Sequence, residues 1–141
     1  MVLGNIGLKI RLLSLLTSFM LVACVKVDVK LDSEKCIVSK GKQSIKLQLT
    51  APCSLVKADN KGHNFFLYED VRVYIIAGAP ASIDELSRWS VKAEDGCTLQ
   101  SQAIFISDNK LTSSTVRDKG LTCPRIGLDE KIYLDFLKES V

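Results

Sequence analysis

Apolar and polar residues alternate along much of this chain with a period of two, the repeat of a half-buried β-strand. In residues 25–31, Val25, Val27, Val29 and Leu31 fall on one side and Lys26, Asp28 and Lys30 on the other. Cys36-Ile37-Val38 reads as a second short strand, and residues 44–50 alternate again through Ile45, Leu47 and Leu49. The Lys40-Gly41-Lys42 turn signal between them predicts a β-hairpin. Phe65–Tyr68 is an aromatic run, and Val71–Ala77 is rich enough in β-branched and aromatic residues to read as a central strand buried on both faces. Residues 100–107 place Ala103, Phe105 and Ser107 on one face, with Ile104 and Ile106 on the other. Asp108-Asn109-Lys110 then turns the chain toward a partner strand over 111–116.

Helical signals are fewer. Ser82-Ile83-Asp84-Glu85 has the form of a capping box, a Ser hydroxyl for the first free amides and a Glu three residues on. It predicts a short helix over 83–89, with Ile83 and Leu86 facing the core. Residues 131–137 set Ile132, Leu134 and Phe136 on one side, which predicts a closing strand, with a short helix as the alternative. Polar, turn-forming stretches at 57–64, 95–96, 119–120 and 124–127 separate these elements. The fold expected is mainly β: a small antiparallel β-sandwich or half-open barrel with one short helix and two disulfides. A chain of 141 residues suits one such domain.

The N-terminus follows another pattern. Two cations, Lys9 and Arg11, precede residues 12–25, which hold nothing more polar than Ser14, Thr17 and Ser18. That is the charged and apolar sequence of an export signal, too short for a spanning helix of roughly 20 residues. At its end, Leu21-Val22-Ala23-Cys24 resembles the bacterial lipobox, with Leu at −3, an aliphatic residue at −2, Ala at −1 and Cys at +1. Leu21 suits ordinary signal peptidase poorly, because that enzyme prefers small residues at −1 and −3. The resemblance implies that residues 1–23 are removed, that Cys24 is lipidated, and that residues 24–141 form one anchored domain. It further implies, from Val25 and Lys26 after the cysteine, the periplasmic face of the outer membrane. Two or three acyl chains hold a protein stably where one holds it only marginally.

Five cysteines are present: Cys24, Cys36, Cys53, Cys97 and Cys123. An odd count in an exported protein asks for a reason, and lipidation of Cys24 leaves four for two bridges. Four cysteines allow three connectivities; the local pairing, Cys36 with Cys53 and Cys97 with Cys123, is the one expected. None of the spacings matches the close pairs of a zinc site, so no metal is expected.

Charge and chemistry narrow the function by exclusion. Net charge is +3, and loss of Lys9 and Arg11 with the signal leaves 17 basic against 16 acidic residues, a formal +1. Nothing in that balance favours nucleic acid. His63, the only histidine, sits in a polar loop, and the small basic cluster of Lys40, Lys42 and Lys46 reads as solvated hairpin ends. Phe65, Phe66, Tyr68 and Tyr74 read as core. Glu69-Asp70, Glu94-Asp95 and Asp129-Glu130 are the carboxylate pairs a hydrolase would need, each beside a turn or strand end. No catalytic residue and no cofactor is therefore expected. The expectation is a membrane-anchored, non-enzymatic module that binds a protein partner, as an inhibitor or immunity protein does, with Trp89 as a candidate contact. Alternatives are an accessory subunit of a secretion or conjugation complex and, behind it, a carboxylate-dependent hydrolase.

Overall fold

The computed structural model describes residues 29–59 and 61–141. The export segment 1–23, Cys24 and the first half of the expected 25–31 strand lie outside the described residues. Eight strands and one α-helix are present among those described: β1 (Lys30–Asp32), β2 (Ile37–Lys40), β3 (Gln43–Lys46), β4 (Ser54–Leu55), β5 (Phe65–Tyr68), β6 (Val71–Ala77), β7 (Ser101–Ser107), β8 (Lys110–Arg117) and α1 (Glu130–Glu139). β1, β2 and β3 form a small antiparallel sheet in that order. The other five form a larger antiparallel sheet centred on β6, which pairs with β7 along one edge. Along its other edge β5 covers the first half of β6 and β4 the second.

The larger sheet is the middle of three layers, and this follows from the two-sided pattern of β6 and β7. Tyr74, Ile76, Ile104 and Ile106 point toward the small sheet and pack with Val38, Leu47 and Leu49. Val73, Ile75, Ala77, Ala103 and Phe105 point the opposite way and pack with Tyr133 and Phe136 of α1. The face assignments expected for β6 and β7 therefore hold. So do the β2–β3 and β7–β8 hairpins. At the β7–β8 turn Asp108 and Asn109 both have positive φ (48° and 61°), the backbone of a type I′ turn that Asn and Asp tolerate well.

Both expected disulfides are formed, Cys36–Cys53 and Cys97–Cys123. The first lies within the inter-sheet core. The second anchors a third cluster with Leu86, against which Trp89, Leu99 and Leu121 pack. Beside it, Thr98 and Thr122 exchange two main-chain hydrogen bonds of 2.8 and 2.9 Å.

Several expectations are corrected. The alternation read over 44–50 predicts a seven-residue strand, but β3 ends at Lys46. Beyond it the chain crosses to the large sheet: Gln48 N donates to Gln102 Oε1 (2.9 Å) and Thr50 N to Gln100 Oε1 (3.1 Å). Side-chain amides replace the ladder there, while Leu47 and Leu49 stay buried. Residues 83–89 form successive turns and no helix. Leu86 N reaches Ser82 O at 3.2 Å, but the next bonds, from Ser87 and Trp89, each go three residues back. Leu86 is the single buried anchor in this stretch and Ile83 is 47% exposed, too little apolar contact to offset helix nucleation. Residues 131–137 belong to α1, the alternative to the closing strand. Asp129 caps it, accepting from Lys131 N at 2.8 Å. Its buried stripe is Ile132, Tyr133, Phe136 and Leu137, a helical spacing that the period-two reading of Ile132, Leu134 and Phe136 passed over.

Candidate functional site

The expected partner contact, Trp89, sits at the end of the 82–89 turns. The capping box that predicted a helix does form: Ser82 N and Oγ both lie 2.9 Å from Glu85 Oε2, and Glu85 N reaches Ser82 Oγ at 3.3 Å. Hydrogen bonds from the Ser82 backbone and then its hydroxyl hold the Glu85 carboxyl below its ordinary range. Below the turns, Leu86 is buried against Cys97 and Cys123, so the disulfide fixes the loop from beneath. Trp89 is half-buried against the same cluster, with the Arg88 guanidinium 5.7 Å from its ring. Exposed Ile83 and half-exposed Trp89 thus stand on a loop made rigid from below. Trp89 is partly core, which the sequence reading did not anticipate.

Chemically competent side chains are held elsewhere, each by local geometry. His63 Nδ1 lies 2.6 Å from Asp59 Oδ2, and Asp59 Oδ1 accepts from Lys61 N (2.8 Å) and His63 N (3.1 Å). The His63 side-chain hydrogen bond is the main reason the Asp59 carboxyl titrates below its ordinary range. This pair closes an exposed loop. Asp70 Oδ2 is 3.4 Å from Ser107 Oγ at the turn end of the large sheet. Asp95 accepts from Lys92 N at 2.8 Å, and Arg125 Nη1 donates to Glu94 O at 3.1 Å. Asp129 is the cap of α1, and Glu69 and Glu130 are exposed. The expected pairs are therefore turn and cap residues, and each occupies a separate turn or helix end.

The basic cluster splits in the same way. Lys40 Nζ donates to Asn109 Oδ1 (3.1 Å), Lys46 Nζ donates to Lys35 O, and Lys42 is exposed. Gln43 ties the two hairpins together, donating to Asn109 O and accepting from Leu111 N at 2.9 Å. Among the described residues no group of three or more His, Cys, Asp or Glu is placed to hold a metal ion.

Between α1 and the sheet, sequence reasoning placed Tyr68 in the core but missed Tyr133. Tyr133 is fully buried, edge-on to Phe66 with centroids 4.8 Å apart, and its hydroxyl has no hydrogen-bond partner. Burial, and then the nearby Tyr68, push its phenol above the ordinary range. Tyr68 Oη donates to Glu130 O at 3.0 Å. Desolvation first, then the Glu130 carboxylate, push the Tyr68 phenol up to about 12. The helical stripe in 130–139 was the signal for this packing. Also missed were Leu67 and Ile126, 59% and 65% exposed; scattered exposed apolar residues leave no sequence signature. No protein-family profile matches the chain, and neither the curated proteins nor the solved structures offer a significant match.

Proposed function

We propose that this chain is a lipid-anchored protein of the bacterial envelope, held at Cys24 after removal of residues 1–23, whose folded domain binds another protein without catalysis. The observation that carries the reading is the cysteine pairing. Cys36–Cys53 and Cys97–Cys123 use every cysteine after Cys24, so the thiol at the end of the Leu21–Cys24 motif is the one left over. Two bridges also fit an oxidising compartment.

Support for protein binding comes from the 82–89 loop. A rigid support under a half-buried Trp, on a loop that also exposes an Ile, is the arrangement of an interface anchor, which binds at a reduced ordering cost. Inhibition or immunity toward an envelope-acting enzyme is the specific form proposed, at the periplasmic face of the outer membrane. Growth with radiolabelled palmitate tests the anchor: the native chain takes up label and Cys24→Ser does not. Labelling that persists in Cys24→Ser overturns it. For binding, stoichiometric capture of an envelope protein that is lost with Trp89→Ala supports the reading. Capture unaffected by Trp89→Ala and Ile83→Ala removes this surface from it.

A further inference from the structure

The chain enters the described domain at Val29, which is tucked into the inter-sheet core. Val29 lines one groove with Leu55, His63, Asn64, Phe65 and Tyr74, so the point of entry lies at the β5 edge of the large sheet. Two residues along the same face of β5 from Phe65 stands Leu67, 59% exposed. Arg72 pairs with Leu67 across the strands and sets its guanidinium 5.4 Å from the Phe65 ring. The His63 ring is 6.1 Å from Phe65, and Lys61 beside it is exposed. An apolar and aromatic strip with cations at its margin therefore surrounds the entry point. That combination suits the headgroup level of a bilayer, where cationic side chains lay their stems on apolar surface and keep their heads in water.

We propose that this face, with Phe65, Leu67 and Arg72 at its centre and the Lys61–His63 turn beside it, rests on the membrane surface among the lipid headgroups. The inference builds on the Cys24 anchor. Four residues, Val25, Lys26, Val27 and Asp28, separate Cys24 from Val29, and five fully extended steps span at most about 18 Å. A domain of this size is roughly 34 Å across, for a radius of gyration near ~13 Å. Its far side cannot reach the bilayer on such a tether. The tether therefore excludes the far side, and among the faces within its reach the entry side carries an exposed large apolar side chain, Leu67. Asp59, Glu69 and Asp70 offset Lys61 and Arg72, so the contact depends on apolar seating and on the high effective concentration a short tether imposes, and needs no anionic lipid. Trp89 packs beyond the Ala77 end of β6, whereas Arg72 lies near its start. Leu67 and Arg72 are thus toward the opposite end of β6 from the 82–89 loop, with the entry groove at Leu55 and Phe65 between them.

The test uses the full chain, purified with its lipid and reconstituted into phosphatidylcholine vesicles with and without brominated acyl chains. Trp89 in the native chain reports the far end, and a Leu67→Trp, Trp89→Phe variant reports the proposed contact. Fluorescence at position 67 is expected to fall at least twofold with brominated lipid while native Trp89 changes little. If position 67 is not quenched, or both are quenched alike, in protein that sediments with the vesicles, the orientation is wrong although the anchor stands. If mass spectrometry finds no acyl group on Cys24 and the protein stays in the supernatant, the anchor fails and the orientation with it.

Discussion

The Arg117 guanidinium carbon lies 3.6 Å from the centroid of the Phe136 ring, joining the last residue of β8 to the buried face of α1. The same side chain forms an ion pair with Glu139, 2.9 Å from Nη2. One arginine thus fastens the C-terminal half of the helix to the edge of the large sheet. A partly desolvated cation over an aromatic face is worth about 1–2 kcal/mol, whereas an ion pair with a largely exposed Glu139 contributes well under ~1 kcal/mol. Arg117→Ala is expected to lower unfolding free energy in urea by about 1–2 kcal/mol, and Glu139→Gln by less than ~0.5 kcal/mol. Arg117→Lys should fall between them, since an ammonium cannot stack flat on the ring. Equal losses for Arg117→Ala and Glu139→Gln would show that the ion pair, and not the ring, carries the contact.

Tyr133 presents the opposite case, a buried hydroxyl without a partner. Removing an unsatisfied buried polar group relieves a desolvation cost. Tyr133→Phe is expected to keep or raise stability by up to about 1 kcal/mol, while Tyr133→Ala, which opens a cavity behind Phe66, costs about 3–5 kcal/mol. Thermal unfolding of both variants checks this. A loss exceeding ~1 kcal/mol for Tyr133→Phe would mean that the hydroxyl is satisfied after all.

The same tyrosines set an alkaline limit. A phenol whose folded pKa is raised above the unfolded value of about 10 supplies stability that is complete below pH 10 and is lost as pH rises through the folded pKa. For Tyr68 that window runs from the unfolded value to about 12, and Tyr133 is shifted in the same direction. Urea midpoints should fall from pH 10 upward in the native chain, and less steeply in Tyr133→Phe and Tyr68→Phe. Absorbance at 295 nm gives the ionisation directly.

Gln102 is buried and uses both ends of its amide. Its Oε1 accepts from Gln48 N and its Nε2 donates to Ser114 O at 2.7 Å. Ser114 lies at the bulge where the β7–β8 register shifts between Gln102 and Ile104, and its Oγ accepts from Ala103 N at 2.9 Å. Gln102→Leu would deprive the Gln48 N–H and the Ser114 carbonyl of these partners, on an exposed and a half-buried residue that solvent partly reaches. A loss of about 1–2 kcal/mol follows, below the cost of two fully buried orphaned groups. Hydrogen exchange at the Gln48 amide should accelerate more than that at Ile75 in the centre of β6.

The bridges close loops of 17 and 26 residues. In the chain-entropy account each contributes about 3 kcal/mol, the longer slightly more. Replacing Cys97 and Cys123 together by Ala is expected to cost about 3 kcal/mol and to loosen the 82–89 loop, seen as faster exchange at Leu86. Replacing Cys36 and Cys53 should cost a similar amount and leave Leu86 protected.

Legibility in the sequence tracked how many neighbours each position has. β6 and β7 lie in mid-sheet, with both faces covered, so their alternation recorded the two cores directly. Leu47 and Leu49 kept the alternation without the strand, because burial and hydrogen bonding separate where Gln100 and Gln102 reach across. At 82–89 the local capping signal was correct and the helix still failed, since Leu86 alone is buried. In α1, Tyr133 was the residue that distinguished period two from period 3.6, and only packing against Phe66 reveals it as core. The candidate loop was legible through Trp89, but its support by Cys97–Cys123 depends on a pairing that three connectivities left open. Leu67 and its neighbours became visible only when the entry of Val29 was located.

The two disulfide loops follow one another along the chain without overlapping or nesting. A polypeptide that emerges into an oxidising space from its N-terminal end presents Cys36 and Cys53 before Cys97 and Cys123. With Cys24 lipidated as proposed, joining each remaining thiol to the next one to appear yields the native set, so oxidation in order of emergence needs no reshuffling of mispaired cysteines.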